Sequence, residues 1–218
     1  MLLKNKKIAF LGDSITEGLG VTDPQNMYWK VLERETGALC YGYGISGTRI
    51  APTATPSANP REDLFFASRV TDMIPDADIV VVFGGTNDFG HGNAPFGSPT
   101  DLNEGSFCGA YHHLLRTLIE RYPDAQIVVM TPLHRLGDTE TGANDRGFPR
   151  WTNLEGYVDA IRAIAGFYGI PVLDLFRTSG LQPEVEVLRE RFMPDGLHPN
   201  DAGHSKIASR LKGFLLSL

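Results

Sequence analysis

Residues 78–84 read DIVVVFG. An unbroken β-branched run of this kind has no polar face, so it fits a strand covered on both sides. Sheets covered on both sides are built from parallel strands, and parallel strands need crossover connections, usually helices. This run therefore constrains the fold more tightly than composition does. The rest of the chain follows the same rhythm. Strands are predicted over Lys7–Gly12, Ala38–Tyr43, Asp78–Gly84, Gln126–Thr131 and Ile170–Leu175. Helices are predicted over Pro24–Thr36, Arg61–Met73, Ser106–Tyr122 and Leu154–Tyr168, with a short one over Pro183–Arg191. A last helix runs from about Asp201 to Leu216, with Asn200 as N-cap. Its apolar positions Ile207, Leu211, Phe214, Leu215 and Leu218 fall at helical spacing and read as a core-facing stripe.

No repeat and no linker divides the 218 residues, so one domain over 1–218 is expected. Alternating strands and helices with right-handed crossovers imply an α/β fold. Five strands suit a flavodoxin-like three-layer α/β/α sandwich with a parallel sheet in the order 2-1-3-4-5. Ligands bind such sheets at the carboxyl ends of the strands, where the strand order reverses. Two polar, glycine-rich segments, 89–105 and 134–153, follow strands three and four and are expected to overhang that crevice.

The totals remove several function classes. A net charge of −6 speaks against nucleic acid or an anionic membrane as partner. Lys4, Lys6 and Lys7 form the one basic cluster and read as the solvated start of the first strand. Cys40 and Cys108 are too few for a disulfide framework and lie in no CxxC, so they read as free thiols of a reducing compartment. No signal sequence precedes the first strand and no apolar run approaches a membrane span, so a cytoplasmic location is expected. Neither GxGxxG nor GxxxxGK[ST] occurs, which leaves nucleotide binding unsupported. No cofactor is expected, and a homo-oligomer is left open.

Four blocks punctuate the predicted rim: GDS at 12–14, YGISGTR at 43–49, GGTND at 84–88 and DGLHPN at 195–200. Together they supply what acyl transfer needs. Ser14 is a weak nucleophile until a base takes its proton. His198 is the candidate base, and Asp195, three residues earlier, is the candidate that orients its ring. The N–H groups of Ser14 and Gly47 and the amide of Asn87 are candidate donors to the oxyanion. Asp13 and Asp88 read as braces of their turns through side-chain-to-backbone bonds.

These blocks resemble the SGNH hydrolases, also called GDSL esterases and lipases. That family's Ser, Gly, Asn and His match Ser14, Gly47, Asn87 and His198, and its DxxH motif matches Asp195. The similarity runs from about residue 8 to 212. It implies the flavodoxin-like fold, no metal, and hydrolysis of esters or thioesters through an acyl-enzyme. The second block carries Gly42 where the family often has Asn.

Substrate contacts are expected from Asp13, His91, His134, Arg135 and Trp151, and Arg49 serves either the pocket or its own loop. Trp29 is expected in the core, and His112, His113 and His204 at the surface. The expected substrate is a small ester, with short acyl groups and O-acetyl carbohydrate favoured by the polar loops and the lack of a lid-like amphipathic helix. An acyl thioesterase or a lysophospholipase stands as the alternative on the same fold. From other classes, a metal-dependent phosphoesterase would need more His and Asp at strand ends. A non-catalytic carbohydrate-binding module would be expected to have lost a triad member.

Overall fold

The five apolar runs become five strands: β1 (Lys7–Gly12), β2 (Leu39–Gly44), β3 (Ile79–Phe83), β4 (Gln126–Met130) and β5 (Val172–Leu173). In the computed structural model, which describes residues 2–218, they form one parallel sheet in the order β2-β1-β3-β4-β5. This is the order expected from the sequence. Among the described residues the helices are α1 (Ser14–Glu17), α2 (Tyr28–Thr36), α3 (Thr86–His91), α4 (Phe107–Arg121), α5 (Leu154–Phe167), α6 (Leu175–Thr178), α7 (Glu186–Phe192) and α8 (Asp201–Ser217).

The continuous apolar runs are explained by two cores, one on each face of the sheet. Ala9, Leu11, Val80, Val82, Ile127 and Val129 face a core shared with α4 and α5. The intervening residues Ile8, Phe10, Ile79, Val81, Val128 and Met130 face a second core shared with α2 and α8. Strand side chains alternate between faces, so a strand covered on both sides must be apolar throughout. The predicted stripe of α8 holds at Ile207, Leu211 and Leu215, which are fully buried.

Register brings the chemistry together. Gly12 lies opposite Gly44 on one side and Phe83 on the other. The carboxyl ends of β1, β2 and β3 are therefore level, and the segments that follow them leave one rim side by side.

Several expectations need correction. Pro24–Thr36 is not one helix: a 3-10 turn at Pro24–Asn26 gives way to α2 after Met27, whose backbone is extended. The break lets the Tyr28 N–H reach His204 Nδ1 at 3.1 Å. Arg61–Met73 is not an α-helix but two 3-10 segments, Pro60–Asp63 and Phe66–Asp72. There Phe66 N–H donates to Arg49 O at 3.0 Å, so a long-range bond takes the place of a helical one. The fifth strand keeps only Val172–Leu173 of the predicted Ile170–Leu175. His112 and His204 are buried, not superficial. The His112 ring is bonded on both sides, to Tyr168 Oη at 3.0 Å and to Pro99 O at 2.8 Å. His113 is partly exposed beside Glu104.

Candidate active site

The first block is a tight turn from β1 into α1. Asp13 caps α1 and accepts from the Ile15 N–H at 3.1 Å. Gly18 ends the helix in the left-handed region and returns its N–H to Ser14 O. A side chain at Gly12 would meet Thr16 Oγ1 at 2.0 Å, so glycine is required where the strand meets the helix. Ser14 thus sits on a short helical turn at the end of a core strand, nearly buried. Asp13 is equally buried, and that burial outweighs its hydrogen bond and the nearby Arg69, pushing its carboxyl up to about 7. It braces the turn; no contact places it toward a substrate.

The last block supplies the partner. Ser14 Oγ lies 3.1 Å from His198 Nε2. The opposite ring nitrogen, Nδ1, is 2.6 Å from Asp195 Oδ2. An acceptor on Nδ1 puts the proton there and leaves the Nε2 lone pair for the serine hydroxyl. Asp195 also folds its own turn: its other oxygen accepts from Leu197 N–H at 2.9 Å and His198 N–H at 2.7 Å. Burial pushes the Asp195 carboxyl up, but the His198 backbone and ring and the Leu197 N–H outweigh it, leaving its pKa below the usual value. Asn200 follows as N-cap of α8, accepting from Ala202 and Gly203 N–H, so the turn is anchored to a long helix.

The second and third blocks meet beside Ser14. Gly47 has a φ of 77°, a left-handed conformation that favours glycine. Its loop is held at nearly every polar group. Glu17 accepts from the N–H and hydroxyl of Ser46. Asn87 Nδ2 donates to Thr48 O at 2.9 Å, and His91 Nε2 lies 3.0 Å from Gly47 O. Asp88 accepts from Ile50 and Ala51 N–H, each at 2.9 Å, which is the bracing role expected of it. Among the described residues no hydrogen bond engages the N–H of Ser14 or Gly47. The second N–H of the Asn87 amide is likewise without a partner among the described residues.

Sequence reasoning missed Arg69. Its guanidinium is buried and donates to Tyr43 O at 2.7 Å and to Gly12 O and Thr48 Oγ1, both at 3.1 Å. One side chain thereby fastens the ends of β1 and β2 to the Gly47 loop. The signal was there: Arg69 interrupts the apolar positions Phe66, Ala67, Val70 and Met73.

The other predicted contacts divide. His91 comes to the site as the partner of Gly47 O and is held neutral by its burial, which lowers its pKa. His134 does not: its ring lies 3.8 Å from the Phe176 ring and its Nδ1 bonds Asp138 at 2.6 Å. Arg135 crosses Gly90 and pairs with Asp145 at 3.3 Å, bracing the loop. Trp151 is exposed at the surface. Arg49 is buried and pairs with Asp63 at 2.8 Å, so it braces its own loop while also lining a cleft beside it. Trp29, half-buried, covers Gly42: a side chain there would meet the indole at 2.6 Å, which accounts for the glycine at that position. The segment 134–153 reaches both sides of the rim. Leu136 N–H donates to Gly196 O beside His198, and Arg146 pairs with Glu62 beside Gly47.

A parallel α/β/α sandwich with Ser, Gly, Asn and His on four blocks of one rim defines a class of hydrolases. The chain belongs to the GDSL-like lipase/acylhydrolase family, whose model matches residues 10–206. No curated protein matches it. Among solved structures it is similar to a protein from Lactobacillus plantarum, 31% identical over 98% of both chains, with a TM-score of 0.80. It is also similar to an acetyl xylan esterase, 21% identical over 96% of this chain and 99% of that one, with a TM-score of 0.64. A third similarity is to a two-domain esterase active on acetylated mannans, 20% identical, TM-score 0.61, covering 97% of this chain and 48% of that one. Among the described residues no helix is long and apolar enough to cross a membrane.

Proposed function

We propose that this protein is a serine esterase that removes short acyl groups, acetyl above all, from carbohydrate through an acyl-enzyme. The observation that carries the proposal is the unbroken line Ser14 Oγ, His198 Nε2, His198 Nδ1, Asp195 Oδ2, with gaps of 3.1 Å and 2.6 Å. Ser14 Oγ attacks the ester carbonyl while its proton passes to His198 Nε2. Asp195 stabilises the imidazolium that results. The carbonyl oxygen, now negative, accepts from the N–H groups of Ser14 and Gly47 and from Asn87. Collapse breaks the bond to the alcohol, which leaves with the proton from Nε2. Water then loses a proton to the same nitrogen, attacks the acyl-enzyme, and frees the acid and Ser14.

The carbohydrate part of the proposal rests on the polar lining around the Gly47 loop. The acetyl xylan esterase and the acetylated-mannan esterase, which share the fold, lend it support. The chain acts as one domain in this reading, with 89–105 and 134–153 bordering the substrate. Among the described residues no three His, Cys, Asp or Glu are grouped as a metal would require, so a dimetal phosphoesterase has no donor set here. Cys40 and Cys108, both buried and free, fit a cytoplasmic site of action.

The test is Ser14→Ala assayed on p-nitrophenyl acetate and on acetylated xylo-oligosaccharides. Turnover should fall by about 10³-fold or more. Retention of most activity would overturn the mechanism. A series of acyl chains run alongside should show the rate declining with length; a maximum at long chains would favour a lysophospholipase instead.

A further inference from the structure

A cleft of ≈ 320 Å³ opens beside the Gly47 loop. Its walls come from three parts of the chain that are remote in sequence: residues 49–62, the end of α3 with Asn93, and Arg146 with Phe148. Two of its residues touch the proposed oxyanion loop. His91 is bonded to Gly47 O, and Glu62 lies so close that a side chain at Gly47 would meet its Cγ at 2.6 Å. Whatever fills the cleft therefore lies against the loop that carries the Gly47 N–H.

The lining says what that occupant is. Each guanidinium already has its counter-charge: Arg49 pairs with Asp63 at 2.8 Å, and Arg146 pairs with Glu62. His91 adds no charge, because burial holds it neutral. The site is thus rich in hydrogen-bonding groups without net charge. An anion would have to displace a carboxylate already in place, whereas a hydroxyl accepts from one partner of an ion pair and donates to the other. Phe148 supplies an apolar surface for the C–H groups of a ring. The volume lies at the small end of the range of about 300–1,000 Å³ for ligand pockets, which suits one ring rather than a long chain.

We propose that this cleft holds the leaving alcohol as a single uncharged sugar ring, recognised by Arg49, the Glu62–Arg146 pair and Phe148. The inference rests on the esterase reading of Ser14 but addresses the alcohol, not the bond cleavage.

Binding is tested without catalysis. Isothermal titration calorimetry of the wild-type protein with methyl β-xyloside and methyl β-mannoside, which carry no ester, should give saturable binding. The methyl glycoside of galacturonic acid should bind at least tenfold more weakly. Phe148→Ala and Arg146→Ala, each checked for unchanged circular dichroism, should weaken the neutral glycosides about tenfold. In kinetics the same variants should lower the ratio of kcat/KM on an acetylated methyl xyloside to that on p-nitrophenyl acetate by tenfold or more. An equal fall on both esters, or preference for the uronate, overturns the assignment of the cleft. Loss of all ester hydrolysis by the wild type, with glycoside binding intact, would instead overturn the esterase reading alone.

Discussion

Asp195 serves two purposes with its two oxygens. One closes the turn by accepting from Leu197 and His198 N–H, and the other orients the imidazole. The spacing of three residues is therefore a requirement of the turn as much as of the chemistry, which is why the DxxH pattern is so readable. Asn87 is shared in the same way. One of its amide hydrogens holds Thr48 O, and in the proposed mechanism the other donates to the oxyanion. Removing such a donor costs about 2.7–4 kcal/mol in the transition state. Asn87→Ala should lower kcat on p-nitrophenyl acetate by roughly 10²–10³-fold with little change in KM. A rise in KM at constant kcat would show that Asn87 binds substrate without favouring the transition state.

At the scale of elements, the strands were legible because burial on both faces leaves an unbroken apolar run, as in β3. The segment 60–73 was not. Its apolar spacing is helical, but its backbone is drawn to Arg49 O and its Arg69 is drawn to Tyr43 O, Gly12 O and Thr48 Oγ1. Arg69 breaks the apolar pattern and so marks itself, but local spacing cannot name such distant partners. Arg69 itself is costly to bury, and burial lowers its pKa to about 10. It is tolerated because it satisfies three acceptors at once. Arg69→Met would strand those acceptors, at roughly 1–3 kcal/mol for each buried group left unpaired. Urea unfolding should show a loss of about 3 kcal/mol or more. The surviving folded fraction should turn over p-nitrophenyl acetate more slowly, since Gly12 and Thr48 flank the two main-chain donors. Unaltered stability and kcat would mean that the loop holds its shape without the guanidinium.

For the whole molecule, the fold and all four motif blocks could be read from the sequence, and the interior histidines could not. Nothing near His204 in the chain announces that Tyr28 N–H, 176 positions away, will donate to its ring. Its burial has a consequence for stability. Desolvation, partly offset by Asp201, lowers its pKa from 6.5 to about 4 in the fold. The unfolded chain therefore takes up that proton first as pH falls. The stabilisation is complete above pH 6.5, is lost progressively toward pH 4, and amounts to roughly 3 kcal/mol. Between pH 7.5 and pH 4 the wild type should lose roughly 3 kcal/mol relative to His204→Gln, read as a fall in its melting temperature relative to the variant's. A gap that stays constant with pH would show that His204 does not titrate between these limits.

The reacting pair is separated by 184 positions in the chain yet shares one hydrogen bond. Ser14 therefore leaves the ribosome long before His198, and strands β2 to β5 all lie between them in the chain. In the proposed mechanism, a chain cut short before the DGLHPN turn would keep its serine and lack its base, and would leave an ester untouched.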